Sequence, residues 1–124
     1  MPEKIATQKA PGAIGPYSQG MVSEAFIFTS GQLPVNPLTK DMPTDVREQA
    51  ALSLENVKAI LEAAGSGLDR VLKTTVYLAD IKDFTAVNEV YAVYFAEPFP
   101  ARSCFQVAAL PLGAKVEIEV IAER

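Results

Sequence analysis

Apolar residues recur along this chain with two different periods. Between Val46 and Ala64 they fall at Val46, Ala50, Leu54, Val57, Leu61 and Ala64. Steps of three and four place that set on one face of an α-helix. Asp45, with Glu48 three residues on, is a capping-box start for this helix, and Gly65 is its stop. A second helix is predicted after Asp80 or Asp83, with a stripe of Phe84, Val87 or Asn88, Tyr91 and Phe95, ending before Pro98. Period-two alternation marks the strands. They are a short one near Lys4 to Gln8, then Tyr17 to Ser23 and Ala25 to Ser30 joined tightly near Glu24. Val71 to Ala79 is apolar on both faces and therefore predicted to be central. Arg102 to Leu110 and Lys115 to Ala122 are predicted to close the sheet as a pair around Pro111-Leu112-Gly113. Ala10 to Pro16, and Gly31 to Pro43 with its three prolines, have the composition of turns and loops.

Strand alternation also assigns faces. In the last strand Val116, Ile118, Val120 and Ala122 share one side, and Lys115, Glu117, Glu119 and Ile121 the other. Phe26 and Phe28 likewise oppose Ile27 and Thr29. Two helices of these lengths cover one side of a sheet of five or six strands. The uncovered side is expected to carry Ile27, Val71, Tyr77 and Ile121, and so to be buried by another subunit.

At 124 residues the chain is expected to form a single domain spanning 1–124. No apolar run approaches the ~20 residues of a membrane span, the first residues lack the pattern of a signal peptide, and one cysteine permits no internal disulfide. A cytoplasmic location is the expectation. The net charge of -4 argues against binding nucleic acid through phosphates. The absence of histidine is more decisive still, because it removes the commonest neutral-pH acid–base group and metal ligand. Ser-His triads, histidine-based zinc sites and two-histidine nuclease mechanisms are excluded within this chain.

The remaining chemistry centres on Pro100-Ala101-Arg102-Ser103-Cys104 and Val116-Glu117-Ile118-Glu119. An arginine fork matches a carboxylate and stays charged at any working pH. A glutamate on a neighbouring strand can move a proton or orient a water beside whatever the arginine holds. By pattern alone, a plain inter-strand ion pair is the favoured reading of Arg102, and a solvated strand carboxylate is the plain reading of Glu117. Cys104 has no histidine to make its thiolate, so its side chain reads as packing. Gly12-Ala13-Ile14-Gly15 lacks the Gly-Lys-Ser/Thr of a phosphate loop.

Fragments along the whole chain resemble the RidA (YjgF-type) family of imine deaminases. They are Ala13-Ile14-Gly15-Pro16-Tyr17-Ser18-Gln19, Thr29-Ser30-Gly31-Gln32, Val87-Asn88-Glu89-Val90-Tyr91, Pro100-Ala101-Arg102-Ser103, Leu110-Pro111 and Val116-Glu117-Ile118-Glu119, in that order. The resemblance implies an α+β fold of chorismate-mutase-like (YjgF-like) type, a mixed sheet of about six strands with two helices on one face. It implies a homotrimer with sites in the clefts between subunits, and no metal or organic cofactor. The implied reaction is hydrolysis of 2-imino acids, such as 2-iminobutanoate and 2-iminopropanoate, to 2-keto acids and ammonia. Those imines arise from pyridoxal-phosphate dehydratases. By the same resemblance Arg102 grips the substrate carboxylate and Glu117 steers water and protons. Backbone groups at Gly31 and Cys104 support the acid, with Ser30 and Tyr17 beside it and Asn88 as a polar wall. Two other readings stand beside this one: a non-catalytic trimeric module that binds small carboxylates or regulates a partner, and an endoribonuclease or translation inhibitor.

Overall fold

The computed structural model describes residues 1–124. Its strands are β1 (Glu3–Ile5), β2 (Gly20–Val22), β3 (Phe26–Thr29), β4 (Val71–Leu78), β5 (Ala101–Gln106) and β6 (Val116–Glu123). The helices are α1 (Val46–Ala63) and α2 (Phe84–Tyr94). The strands form one mixed sheet in the order β1-β2-β3-β6-β4-β5, with every pairing antiparallel except β4 with β5. This is the expected α+β architecture.

Local signals act as predicted at α1. The Asp45 carboxylate accepts from the Glu48 backbone N–H at 3.1 Å, satisfying one orphan donor of the first turn. At the other end Gly65 takes φ +80, a left-handed conformation that favours glycine, and the Ser66 N–H turns back to the Leu61 carbonyl. Helix α2 starts at Phe84 after a tight turn at Ile81–Asp83, and Asp80 caps that turn through the Lys82 N–H. Of the two alternatives in its stripe, Val87 is buried and Asn88 is exposed.

The core lies between the helices and one sheet face. Leu54, Val57, Ile60 and Leu61 of α1 meet Ile27, Val76, Leu78, Val116 and Ile118, all essentially inaccessible. Helix α1 also buries Gln49, Ser53 and Asn56, polar positions outside the apolar stripe. Two of these are ties to loops. Asn56 donates to the carbonyls of Leu33 and Val35 at 3.1 and 2.9 Å, and Gln49 bridges Pro43 to Lys115. Buried amides persist where such partners satisfy them.

The structure corrects two expectations. Strand β5 does not pair with β6; it lies at the far edge, parallel to β4, with Arg102 opposite Thr74. A chain that leaves β4, runs through α2 and returns must lay its next strand parallel to the first. The slot on the other side of β4 is filled by β6, so Arg102 and Glu117 are not on neighbouring strands. The uncovered face is also composed differently. Ile27 pairs with Ala122 and points to the helices, and Val71 is turned the same way by a bulge between it and Lys73. The uncovered face instead carries Met21, Phe28, Tyr77, Phe105 and Ile121, with Glu117 and Glu119 among them. Phe28 and Phe105 are 46% and 44% exposed there, so this face leaves large apolar side chains open.

Candidate active site

The sequence-predicted residues gather into two clusters on opposite faces of the sheet. Tyr17, Ser30, Gly31 and Glu117 form the first. The loop that carries Tyr17 is organised by Gln19, which is buried. Its side-chain oxygen accepts from Thr7 N–H at 2.7 Å, and its amide donates to the carbonyls of Thr7, Ala10 and Pro11. Ser30 is fixed at both ends: its N–H bonds the Gln19 carbonyl at 2.8 Å, and its hydroxyl donates to the Ser18 carbonyl at 2.6 Å. Gln32 then bridges to Ile118 through both backbone groups, at 2.7 and 3.2 Å, which sets Gly31 directly over Glu117. A Cβ at Gly31 would overlap the Glu117 Oε2 atom. Any side chain at position 31 would therefore displace that carboxylate. Tyr17 and Gly31 line a small depression of about 140 Å³ with Ile14, Leu33, Val35 and Leu112.

Glu117 is half-buried, and burial raises its pKa above the ordinary carboxylate value, with the Glu119 charge on the same face adding to the rise. The Tyr77 hydroxyl donates to Glu119 at 2.6 Å, and that bond, with burial, pushes the tyrosine up to about 12. Glu119 thus stays a structural acceptor. Glu117 is left without a side-chain partner and with a pKa moved toward neutrality, the properties of a proton carrier.

Arg102, Asn88 and Cys104 form the second cluster, on the helix side of the edge strand. Arg102 donates from Nη1 to Asn88 Oδ1 at 2.6 Å. Its guanidinium carbon lies 4.8 Å from the centre of the Tyr91 ring and 5.4 Å from that of Phe84. The only salt bridge in the chain joins Arg47 to Glu89, so no carboxylate pairs with Arg102. The ion-pair reading of Arg102 fails on that point. A guanidinium held by an amide and two rings keeps its charge for an external anion. Beside it lies an open depression of about 380 Å³ lined by Asn88, Tyr91, Ala92, Phe99, Pro100 and Arg102. Cys104 sits two residues along the same face, packed against the core, and burial raises its thiol pKa although the Arg102 charge works the other way. That is the inert packing expected of its side chain. Its backbone lies on an edge strand.

Within one chain the two clusters do not meet. Arg102 shares the face of Thr74, which is buried under α2, whereas Glu117 alternates with the buried Val116 and Ile118 and points away. No three cysteine, aspartate or glutamate side chains converge as metal ligands, and no helix is long and apolar enough to cross a membrane. The positioning roles of Gln19, Gln32 and Asn56 were not assigned from the sequence. The one available signal was that Gln19 and Gln32 close two of the quoted motifs at positions with no evident surface role.

A family model described as Endoribonuclease L-PSP matches residues 7–124. The chain belongs to the RidA (YjgF-type) family. Among RidA-type relatives, the 2-iminobutanoate/2-iminopropanoate deaminase of Escherichia coli (strain K12) is 54% identical, the match covering 100% of this chain and 99% of that protein. The protein of the same description from Salmonella typhimurium is 52% identical over the same shares. The crystal structure of E. coli TdcF with bound serine superposes with a TM-score of 0.95 at 54% identity, covering 98% of both chains. The RidA fold predicted from sequence is thus the fold observed.

Proposed function

We propose that this protein is a 2-iminobutanoate/2-iminopropanoate deaminase that clears reactive imines released by pyridoxal-phosphate dehydratases. The observation that carries the reading is Arg102, a guanidinium held by neutral groups with no acid to neutralise it. It binds the carboxylate of the 2-imino acid and so presents the neighbouring C=N carbon in one orientation. Glu117 accepts a proton from water as the oxygen adds to C2 and delivers it to nitrogen, giving a carbinolamine; it then takes the hydroxyl proton and passes it to the amine as the C–N bond breaks, which leaves a 2-keto acid and ammonia. Gly31 and the Cys104 backbone, with Ser30, Tyr17 and Asn88, complete the acid's surroundings. Because Arg102 and Glu117 face opposite sides of one sheet, a working site takes them from different subunits. A homotrimer supplies three such clefts and covers the apolar sheet face. The whole chain, 1–124, acts as one domain, and its place is the cytoplasm. Full-length relatives bearing the deaminase name, and a neighbour holding the small carboxylic acid serine, support this reading.

The test is to generate 2-iminobutanoate from threonine and a dehydratase and follow its conversion to 2-ketobutyrate. Wild type is expected to accelerate the step, Arg102→Ala to abolish the acceleration and Glu117→Gln to weaken it strongly. Decay at the spontaneous rate with wild type would refute the enzyme reading and leave the carboxylate-binding module. The ribonuclease reading has names alone in its favour, those of the family model and of some solved neighbours described as endoribonucleases or a translation initiation inhibitor. RNA cleavage that survives repurification and vanishes in Arg102→Ala would restore it.

A further inference from the structure

Behind Arg102 lies a buried pair that the reaction itself does not require. The Tyr91 hydroxyl and Thr74 Oγ1 are 2.8 Å apart, and the two residues are 6% and 0% exposed. Tyr91 projects from α2 and Thr74 from β4, the strand next to the edge, directly opposite Arg102 in the parallel register. The bond ties the far end of the ring to the sheet. The ring is packed again on Phe95, with centroids 4.6 Å apart. The guanidinium of Arg102 rests over the same ring, at 4.8 Å from its centre. An arginine on an edge strand has four rotatable bonds and would sample many positions. Here a ring that cannot turn and one amide hydrogen bond select a single one.

We infer that Tyr91 is a positioning residue for Arg102, and that its hydroxyl bond to Thr74 fixes the ring as a rigid platform on which the carboxylate-binding fork is set. Asn88 alone fixes one nitrogen; the platform fixes the plane. The inference rests on the proposed role of Arg102 as carboxylate anchor, and its consequence is separable from catalysis. Loss of the platform weakens recognition of the carboxylate group in particular, not ligand binding in general. Thr74→Val and Tyr91→Phe each strand one buried hydroxyl and free the ring. Changing both replaces the polar pair by apolar groups of the same shape, which restores packing stability but not the tether.

The experiment measures Kd by calorimetry for 2-ketobutyrate and for its neutral amide 2-ketobutyramide, with melting temperatures in parallel. Tyr91→Leu is expected to weaken 2-ketobutyrate about tenfold and Thr74→Val about threefold, from the loss or loosening of one cation–π contact. Both are expected to change the affinity for the amide by much less, since the amide makes little use of the guanidinium charge. Thr74→Ser keeps the hydroxyl and is expected to bind 2-ketobutyrate as wild type does. The Tyr91→Phe/Thr74→Val double variant is expected to regain melting temperature but not affinity. Equal weakening of acid and amide, recovery of affinity with melting temperature in the double variant, or wild-type binding in a folded Tyr91→Leu protein would each overturn the inference. Failure of the wild type to bind 2-ketobutyrate is a different result: it removes the anchor itself, and the proposed function with it.

Discussion

Gly31 is the position where the smallest change should have the largest functional effect. Its backbone φ is not in the left-handed region, so alanine is conformationally permitted. The obstacle is Glu117. An added Cβ overlaps Oε2 and stands 2.8 Å from Cδ and 3.1 Å from Cγ, whereas ordinary contact begins at 3.4 Å. Neither the loop nor β6 yields easily, because Gln32 and Ile118 hold them together through two backbone bonds. The carboxylate must therefore swing aside by on the order of 1 Å, a misplacement that costs about 10²-fold in rate when the group acts on the reacting atoms. The folding free energy should hardly move. Gly→Ala stabilises by about 0.4–1 kcal/mol through the unfolded chain, and an off-rotamer glutamate costs about 0.5–1.5 kcal/mol. Gly31→Ala is thus expected to melt within a few degrees of wild type while its kcat for 2-iminobutanoate falls about a hundredfold. Its Kd for 2-ketobutyrate should change far less than kcat, since Arg102 and the backbone groups of residue 31 are both retained. A kcat within threefold of wild type, with Glu117→Gln itself strongly impaired, would refute the reasoning. It would mean that the carboxylate acts from another position.

Four other outcomes follow from the same geometry. The raised pKa of Glu117 means that the folded state binds its proton more tightly than the unfolded chain does. Stability from this group is therefore fully present below the unfolded value and is lost as pH rises through the higher folded one. Glu117→Gln should raise the melting temperature at pH 7, a gain that vanishes in acid where both forms are neutral. In the activity profile, the acidic limb should lie above the ordinary carboxylate range and move down in Glu119→Gln, because the second charge is gone; an unmoved limb would exclude that coupling. Arg102→Ala subunits, inactive alone, and Glu117→Gln subunits, strongly impaired alone, should regain about a quarter of the sites when mixed equally in the proposed trimer, if each site takes one residue from each of two neighbours. No recovery after refolding together would place both groups in one chain's cleft. Phe28→Asp on the uncovered sheet face should give monomers by gel filtration and abolish activity; an active monomer would contradict a shared site.

Local chemistry alone determined much of this protein. The α1 stripe, the Asp45 cap, the Gly65 stop and the alternation of β6 each depend on neighbours within a few residues. The ordered motifs from Tyr17 to Glu119 sufficed to point to the family. Tertiary structure decided what those residues are to one another. Arg102 and Glu117 are close in sequence and look like partners across a hairpin, but the return through α2 lays β5 on the opposite flank of β4 from β6. The faces of Ile27 and Val71 turned on a register and a bulge. The roles of Gln19, Gln32 and Thr74 depended on backbone and hydroxyl groups far along the chain. Periodicity records which side of an element is apolar; it holds no information on which element comes to lie against it. That choice is made only when every strand has competed for a place in the one sheet.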